Sequence, residues 1–300
     1  LQAWAIMSPL RALLKLDPQL KEQLENLKNK FEKADGMPLE SAAKALPALT
    51  DEQFAILDAL RVIQDKLVLG PQDLEEIAQG ASEISENTPN GRIYAQLRKG
   101  LGLEAARIYR SSELPEGITI IASEPPIACI RSEILQKASG NEIQYWLAKA
   151  ATMTHPDLLY IASTPAEYRA LLPKALLAAV GIGPVSAEVA ALVAKIKEAV
   201  SSEALKDIHT QLTLYPEDNL IACAQTFSKD MLLSADIVAA YIVDDLRTAW
   251  RAECRIDGNV PEMRNVKTIE DISRALESSF VLRKLLAYYV SGAFSEHIGG

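Results

Sequence analysis

Three hundred residues with 49% apolar and 24% charged side chains are enough for one large core or two modest ones, and they exclude a disordered chain. Forty acidic against 31 basic residues give a net charge of −9, which argues against a nucleic-acid surface, where clustered Lys and Arg must act without competing carboxylates. No apolar run reaches the roughly 18 to 20 residues that span a bilayer, and no charged segment followed by an apolar one marks a signal peptide. Neither nucleic acid nor membrane is expected as a partner. Cys129, Cys223 and Cys254 lie far apart in no paired spacing, as expected of a reducing cytoplasm. The chain begins with Leu1 rather than Met and reads as a fragment of something longer.

Helix punctuation recurs along the chain. Asp17-Pro18 is a first helix start, and the basic cluster "LKNK" (27–30), interleaved with Glu22, Glu25 and Glu32, reads as a solvated helix face. Thr50 with Gln53 fits a capping box, and Phe54, Leu57, Leu60 and Ile63 recur at helical spacing behind it. Pro71 is another start. Gly36, the stretch "GASEISENTPNG" (80–91) and the Gly100–Gly102 pair are candidate joints, which place a helical N-terminal region at 1–100 and a core region at 101–300. The 83–91 segment is the expected exposed linker.

The exception to helical patterning is "PEGITIIASEPPIACIR" (115–131). Two β-branched runs, 118–121 and 127–130, flank Ser-Glu-Pro-Pro and predict a small hairpin or ribbon. Ser139 with Glu142 opens the next helix, with Ile143, Trp146, Leu147 and Ala150 inward, stopping at His155-Pro156. His155 is expected at a helix C-terminus, where the dipole favours it. Thr164 with Glu167 and Pro165 fits a further capping box, "GIGP" (181–184) a C-cap and turn into a helix from Val185, and Thr268 with Asp271 marks a late helix start. The fold class is thus mainly α (α+β): one helical core with the 115–131 ribbon docked on it.

Chemistry-bearing patterns are sparse. His155, His209 and His297 stand too far apart to share a helix face as metal ligands. The adjacent pairs Glu75-Glu76 and Asp244-Asp245 point about 100° apart on a helix and do not converge. The glycines of 181–184 lack the strand, third glycine and Lys-Ser/Thr of a phosphate loop, and Gly80-Ala81-Ser82-Glu83 lacks the closing glycine of a nucleophile elbow. Trp4, Trp146, Trp250 and Tyr288-Tyr289 read as core or interface anchors. No catalytic, cofactor-binding or metal residue is expected from these patterns.

"GITIIASEPPIACIRSEILQKASGNEIQYWLAKAATMTHP" (117–156) resembles the region of HtpX-like and CAAX-protease-like zinc metallopeptidases that leads from a short strand into the zinc helix. In that family the helix carries HExxH, two zinc ligands and a general base. Here the matching positions read Lys149-Ala150-Ala151-Thr152-Met153. "LLSADIVAAYIVDDL" (232–246) resembles the later element that supplies a Glu ligand: Ala235-Asp236 match, and Leu232 falls on the ligand. The order of "IYRSSELPEGITI", "THPDLLYIAS" and "ISRALESSFVLRKLLAYYVS" is also similar to a degenerate domain at the C-terminus of large bacterial tetratricopeptide-repeat proteins, over about residues 95–292.

The resemblance implies a zincin-like frame lacking its metal site: a pseudo-peptidase serving as a protein-protein interaction or regulatory module, with a protein partner and no cofactor. Whether the chain is an enzyme stays open, leaning against catalysis. The alternatives are a hydrolase or metallopeptidase with ligands such as His155, His209 and Asp236, and a substrate or partner of another effector. In a live enzyme of this kind the β element pairs with an extended substrate, so a free edge here would capture peptide without cutting it.

Overall fold

A computed structural model of the chain describes residues 49–71, 73–75, 80–103, 105–114, 116–243, 245–256 and 268–290. The architecture is mainly helical with one small mixed sheet, as the patterning predicts. The readings at Trp4, Asp17-Pro18, 27–30, Gly36 and His297 lie outside the described residues.

The first described helix, α1 (Asp51–Gln64), opens at the expected capping box: the Thr50 side chain accepts from the Gln53 N–H, and the Gln53 side chain accepts from the Thr50 N–H. Its inward stripe is Ile56, Leu57, Ala59, Leu60 and Ile63, whereas Phe54 faces solvent. Pro71 starts no helix across the described residues 73–75. The expected linker overlaps a strand end and a helix start, and residues 84–88 between them form a turn with 85–89 exposed. β1 (Ser82–Glu83) leads through a turn to Thr88, whose hydroxyl accepts from the Gly91 N–H and caps α2 (Pro89–Gly100). Gly91 is required there, because a Cβ would stand 2.0 Å from the Ser85 carbonyl oxygen.

Gly102 is a helix stop. At φ +72° it lets the Leu103 N–H reach back to the Arg98 carbonyl and its own N–H to that of Lys99, closing α2.

Two strands that the sequence did not announce join the predicted hairpin. β2 (Arg107–Ser111), β3 (Ile118–Ile121) and β4 (Ile127–Arg131) form, with β1, a sheet of order β1-β2-β4-β3. β4 pairs parallel with β2 and antiparallel with β3, while β1 is antiparallel to β2. The 115–131 element is therefore one half of a four-stranded sheet, with a cis Glu124-Pro125 bond in its connection. Strand alternation sorts its faces. Ile108, Ile118, Ile120, Ala128 and Ile130 enter the main core, and Cys129 joins Leu114, with Tyr109 packed alongside, on the other face.

After α3 (Ser132–Lys137), α4 (Gly140–Met153) runs through the middle of the molecule. It opens at the expected Ser139/Glu142 start and packs against α2, β4 and the helices that follow. Enclosure on several sides explains why it is buried nearly all round, and its Ala148, Ala150 and Ala151 let neighbouring backbones approach. α5 (Pro156–Ser163) covers β3, the edge strand that was the candidate for peptide capture.

Thr164 does not cap the short α6 (Ala166–Arg169). Its hydroxyl donates back to the Tyr160 carbonyl, and the helix begins after Pro165 without a side-chain cap.

α7 (Leu172–Ala179) closes at Gly181, as the "GIGP" motif predicts. At φ +84°, with the Ile182 N–H on the Leu177 carbonyl and the Gly181 N–H on that of Ala178, it forms a full Schellman motif. The next helix, α8 (Ala190–Ala199), starts later than Val185, which stays exposed. α9 (Ser202–Leu212) precedes α10 (Glu217–Val243), about 40 Å long at 1.5 Å per residue. α11 (Leu246–Ile256), α12 (Ile269–Ser278, with the expected start at Thr268/Asp271) and α13 (Phe280–Val290) complete the described chain.

One apolar cluster runs from Ile56 to Leu285. α1 packs on α10, α2 on α4, and β1 pairs with β2, so the packing of the described residues does not divide at residue 100.

Candidate functional site

Tyr145 and Lys149, four residues apart, share one stripe of α4. Opposite them lies Asp236, in the buried C-terminal half of α10. Lys149 Nζ is 2.6 Å from Asp236 Oδ1, and the Tyr145 hydroxyl donates to the same oxygen at 2.7 Å. The two charged side chains are 14% and 3% exposed. Burial alone would push the Lys149 ammonium down, but the carboxylates of Asp236, Glu253 and Glu116 outweigh it and hold the group above the ordinary lysine value. A lysine held charged can donate hydrogen bonds, yet it lacks the lone pair that a nucleophile, a general base or a metal ligand needs.

Trp146 wraps this centre. Its ring centroid lies 5.6 Å from Lys149 Nζ, and it meets Tyr145 edge-on at 5.9 Å. Its buried Nε1–H finds no hydrogen-bond partner among the described residues.

Two turns toward the start of α4, Glu142 forms a second polar centre. Its Oε2 accepts from the Ser139 N–H at 2.6 Å and from Arg255 at 3.1 Å. Burial pushes this carboxyl up, but the Ser139 N–H and the Arg255 guanidinium reverse the effect and hold it below the ordinary glutamate value. Beside this pair opens a cleft of about 770 Å³ between β4, α3, the start of α4 and α11.

His155 sits elsewhere than expected. Thr154 ends α4, and His155 is the N-cap of α5, its Nδ1 accepting from the Asp157 N–H at 3.3 Å. His209 Nδ1 bonds the Val180 carbonyl at 2.8 Å. With Asp236 engaged by Lys149, the set His155, His209 and Asp236 is not assembled. Among the described residues no group of three or more His, Cys, Asp or Glu is placed to hold a metal ion. Trp146 and Trp250 are core side chains, as expected, and Tyr288 packs against the core. Of the carboxylate pairs, Glu76 and Asp244 lie outside the described residues. Asp245 accepts from the Arg247 N–H and the Thr248 hydroxyl at the start of α11.

Comparisons with protein-family models, curated proteins and solved structures return no match.

The zinc implied by the metallopeptidase resemblance does not fit these residues. Lys149 is an ion-paired ammonium, Met153 a buried thioether one turn further on, and Leu232 an aliphatic side chain one turn before Asp236. No neutral imidazole and carboxylate set is present at those positions.

The Lys149–Asp236 pairing escaped the sequence because its partners are far apart in the chain. The local signal was available in Tyr145-x-x-x-Lys149, two polar residues on one stripe of an otherwise apolar helix. The cations around the cleft come from three segments, and nothing local to any one of them announces the cluster.

Proposed function

We propose that the chain is a non-catalytic protein-protein interaction or regulatory module: a pseudo-peptidase frame whose reactive centre has become a structural ion pair. The observation that carries this reading is the closed set of Tyr145, Lys149 and Asp236. The ammonium provides, within a buried site, the positive charge that a cation would bring, and Asp236 Oδ1 is engaged both by that ammonium and by the Tyr145 hydroxyl, which donates to it. Such a centre holds two helices together, and its charged ammonium has no lone pair with which to activate water.

The reading includes a reducing, cytoplasmic setting. No helix among the described residues is long and apolar enough to cross a membrane, and none of the three cysteines is in a disulfide. Association with tetratricopeptide repeats in a larger bacterial protein belongs to the same proposal and rests on the sequence resemblance.

A panel of peptide and ester substrates, assayed with and without added zinc, tests it. Turnover should not exceed that of Lys149→Met; zinc-dependent hydrolysis by the unsubstituted chain alone would refute the reading.

A further inference from the structure

We propose that the cleft between β4, α3 and α11 binds an acidic segment of a protein partner through its Asp and Glu carboxylates. This deepens the interaction-module reading and rests on it, since the segment is held and not cut.

Among the described residues the cleft is lined by Arg131, Lys137, Arg251 and Arg255, with Glu133 and Glu142 as the acidic side chains. Four cations against two carboxylates is the reverse of the chain as a whole, in which acidic residues outnumber basic ones 40 to 31. One of those two carboxylates does not reach the ligand: Glu142 is 3% exposed and engaged with Ser139 and Arg255. The other, Glu133, is well exposed and lies 3.8 Å from Lys137, a solvated pair of little strength that an incoming carboxylate can exchange.

Two of the three guanidiniums are held in place. Arg131 donates to the Leu114 carbonyl at 2.8 Å, and Arg255 donates to the Lys137 carbonyl at 2.8 Å as well as to Glu142. Arg251 lies one turn before Arg255 on α11, is exposed, and its guanidinium makes no hydrogen bond or ion pair with any described residue. Planar guanidiniums fixed by carbonyls lose little entropy on binding and match carboxylates in a bidentate geometry. A volume of about 770 Å³ accommodates a short stretch of extended chain better than a single ion. A peptide presenting acidic residues matches both the charge and the shape.

The test uses the full chain and a fluorescently labelled peptide alternating Glu and Gly, with its Gln counterpart as control. The acidic peptide should bind, the Gln peptide should not, and rising salt should weaken the complex. Arg251→Glu with Lys137→Glu, both at exposed positions, should weaken binding by about tenfold or more at unchanged melting temperature. The inference is overturned if the acidic peptide fails to bind, if the Gln peptide binds equally, if the double reversal leaves affinity unchanged, or if inorganic phosphate is taken up and the peptide is not. Cleavage of the bound peptide would instead refute the interaction-module reading while leaving the cleft assignment in place.

Discussion

At Lys149, desolvation and Coulomb attraction oppose each other, and three carboxylates decide the outcome in favour of the charged form. Removing one partner of such a pair costs more than removing both, because the survivor stays buried and unpaired. Lys149→Met should therefore lower unfolding free energy by about 3 to 5 kcal/mol, while Lys149→Met with Asp236→Leu should cost far less than the sum of the single changes. Urea denaturation of the three variants measures the coupling; additive losses would show that the pair is not a unit. The pH dependence follows from the raised value. The stability contributed by Lys149 is fully present below its unfolded value near 10.5 and is lost as pH rises through the higher folded value. The double variant should accordingly have a flatter alkaline limb in a melting-temperature profile than the unsubstituted chain.

Among the elements, those whose cause is local were legible. Thr50/Gln53 caps a helix as read, and helices start as expected at Ser139/Glu142 and Thr268/Asp271, because these signals lie within one turn; the Thr164/Glu167 box fails because the Thr164 hydroxyl turns back to the Tyr160 carbonyl. The Gly181 stop and the 118–121/127–130 hairpin were legible because their signals are local as well. β1 and β2 were not: β1 has two residues and β2 reads RIYRS, and each becomes a strand by pairing with a distant partner. The helix-ending role of Gly102 was not separable from a joint, because a glycine that ends a helix and one that joins two domains look alike in sequence. His155-Pro156 misled because one residue both follows α4 and caps α5. Position-specific substitutions separate these roles. Gly102→Ala and Gly181→Ala, forced to left-handed φ, should each cost about 1 to 2 kcal/mol in denaturant unfolding. Gly91→Ala should cost more than Gly102→Ala, since its Cβ also meets the Ser85 carbonyl where that of Gly102 meets open space. Equal losses at the two positions would show that the approach to Ser85 is not required.

For the molecule as a whole, the shared core makes residue 100 a poor place to cut. A 101–300 fragment would lose α2, with Tyr94 and Leu97, from the flank of α4, α1 from α10, and β1 from the sheet. It should lack near-ultraviolet circular dichroism and bind hydrophobic dye, whereas the whole chain should unfold in one transition. A fragment that melts cooperatively at the temperature of the whole chain would support the two-part division. The same global packing joins α4 to α10 at Lys149 and Asp236, the contact on which the non-catalytic reading depends. Zinc content per chain, measured after dialysis against zinc and then against buffer, tests that reading most directly. The account predicts far less than one zinc per chain and a melting temperature that zinc does not change; one zinc retained per chain and lost in Asp236→Asn would contradict it.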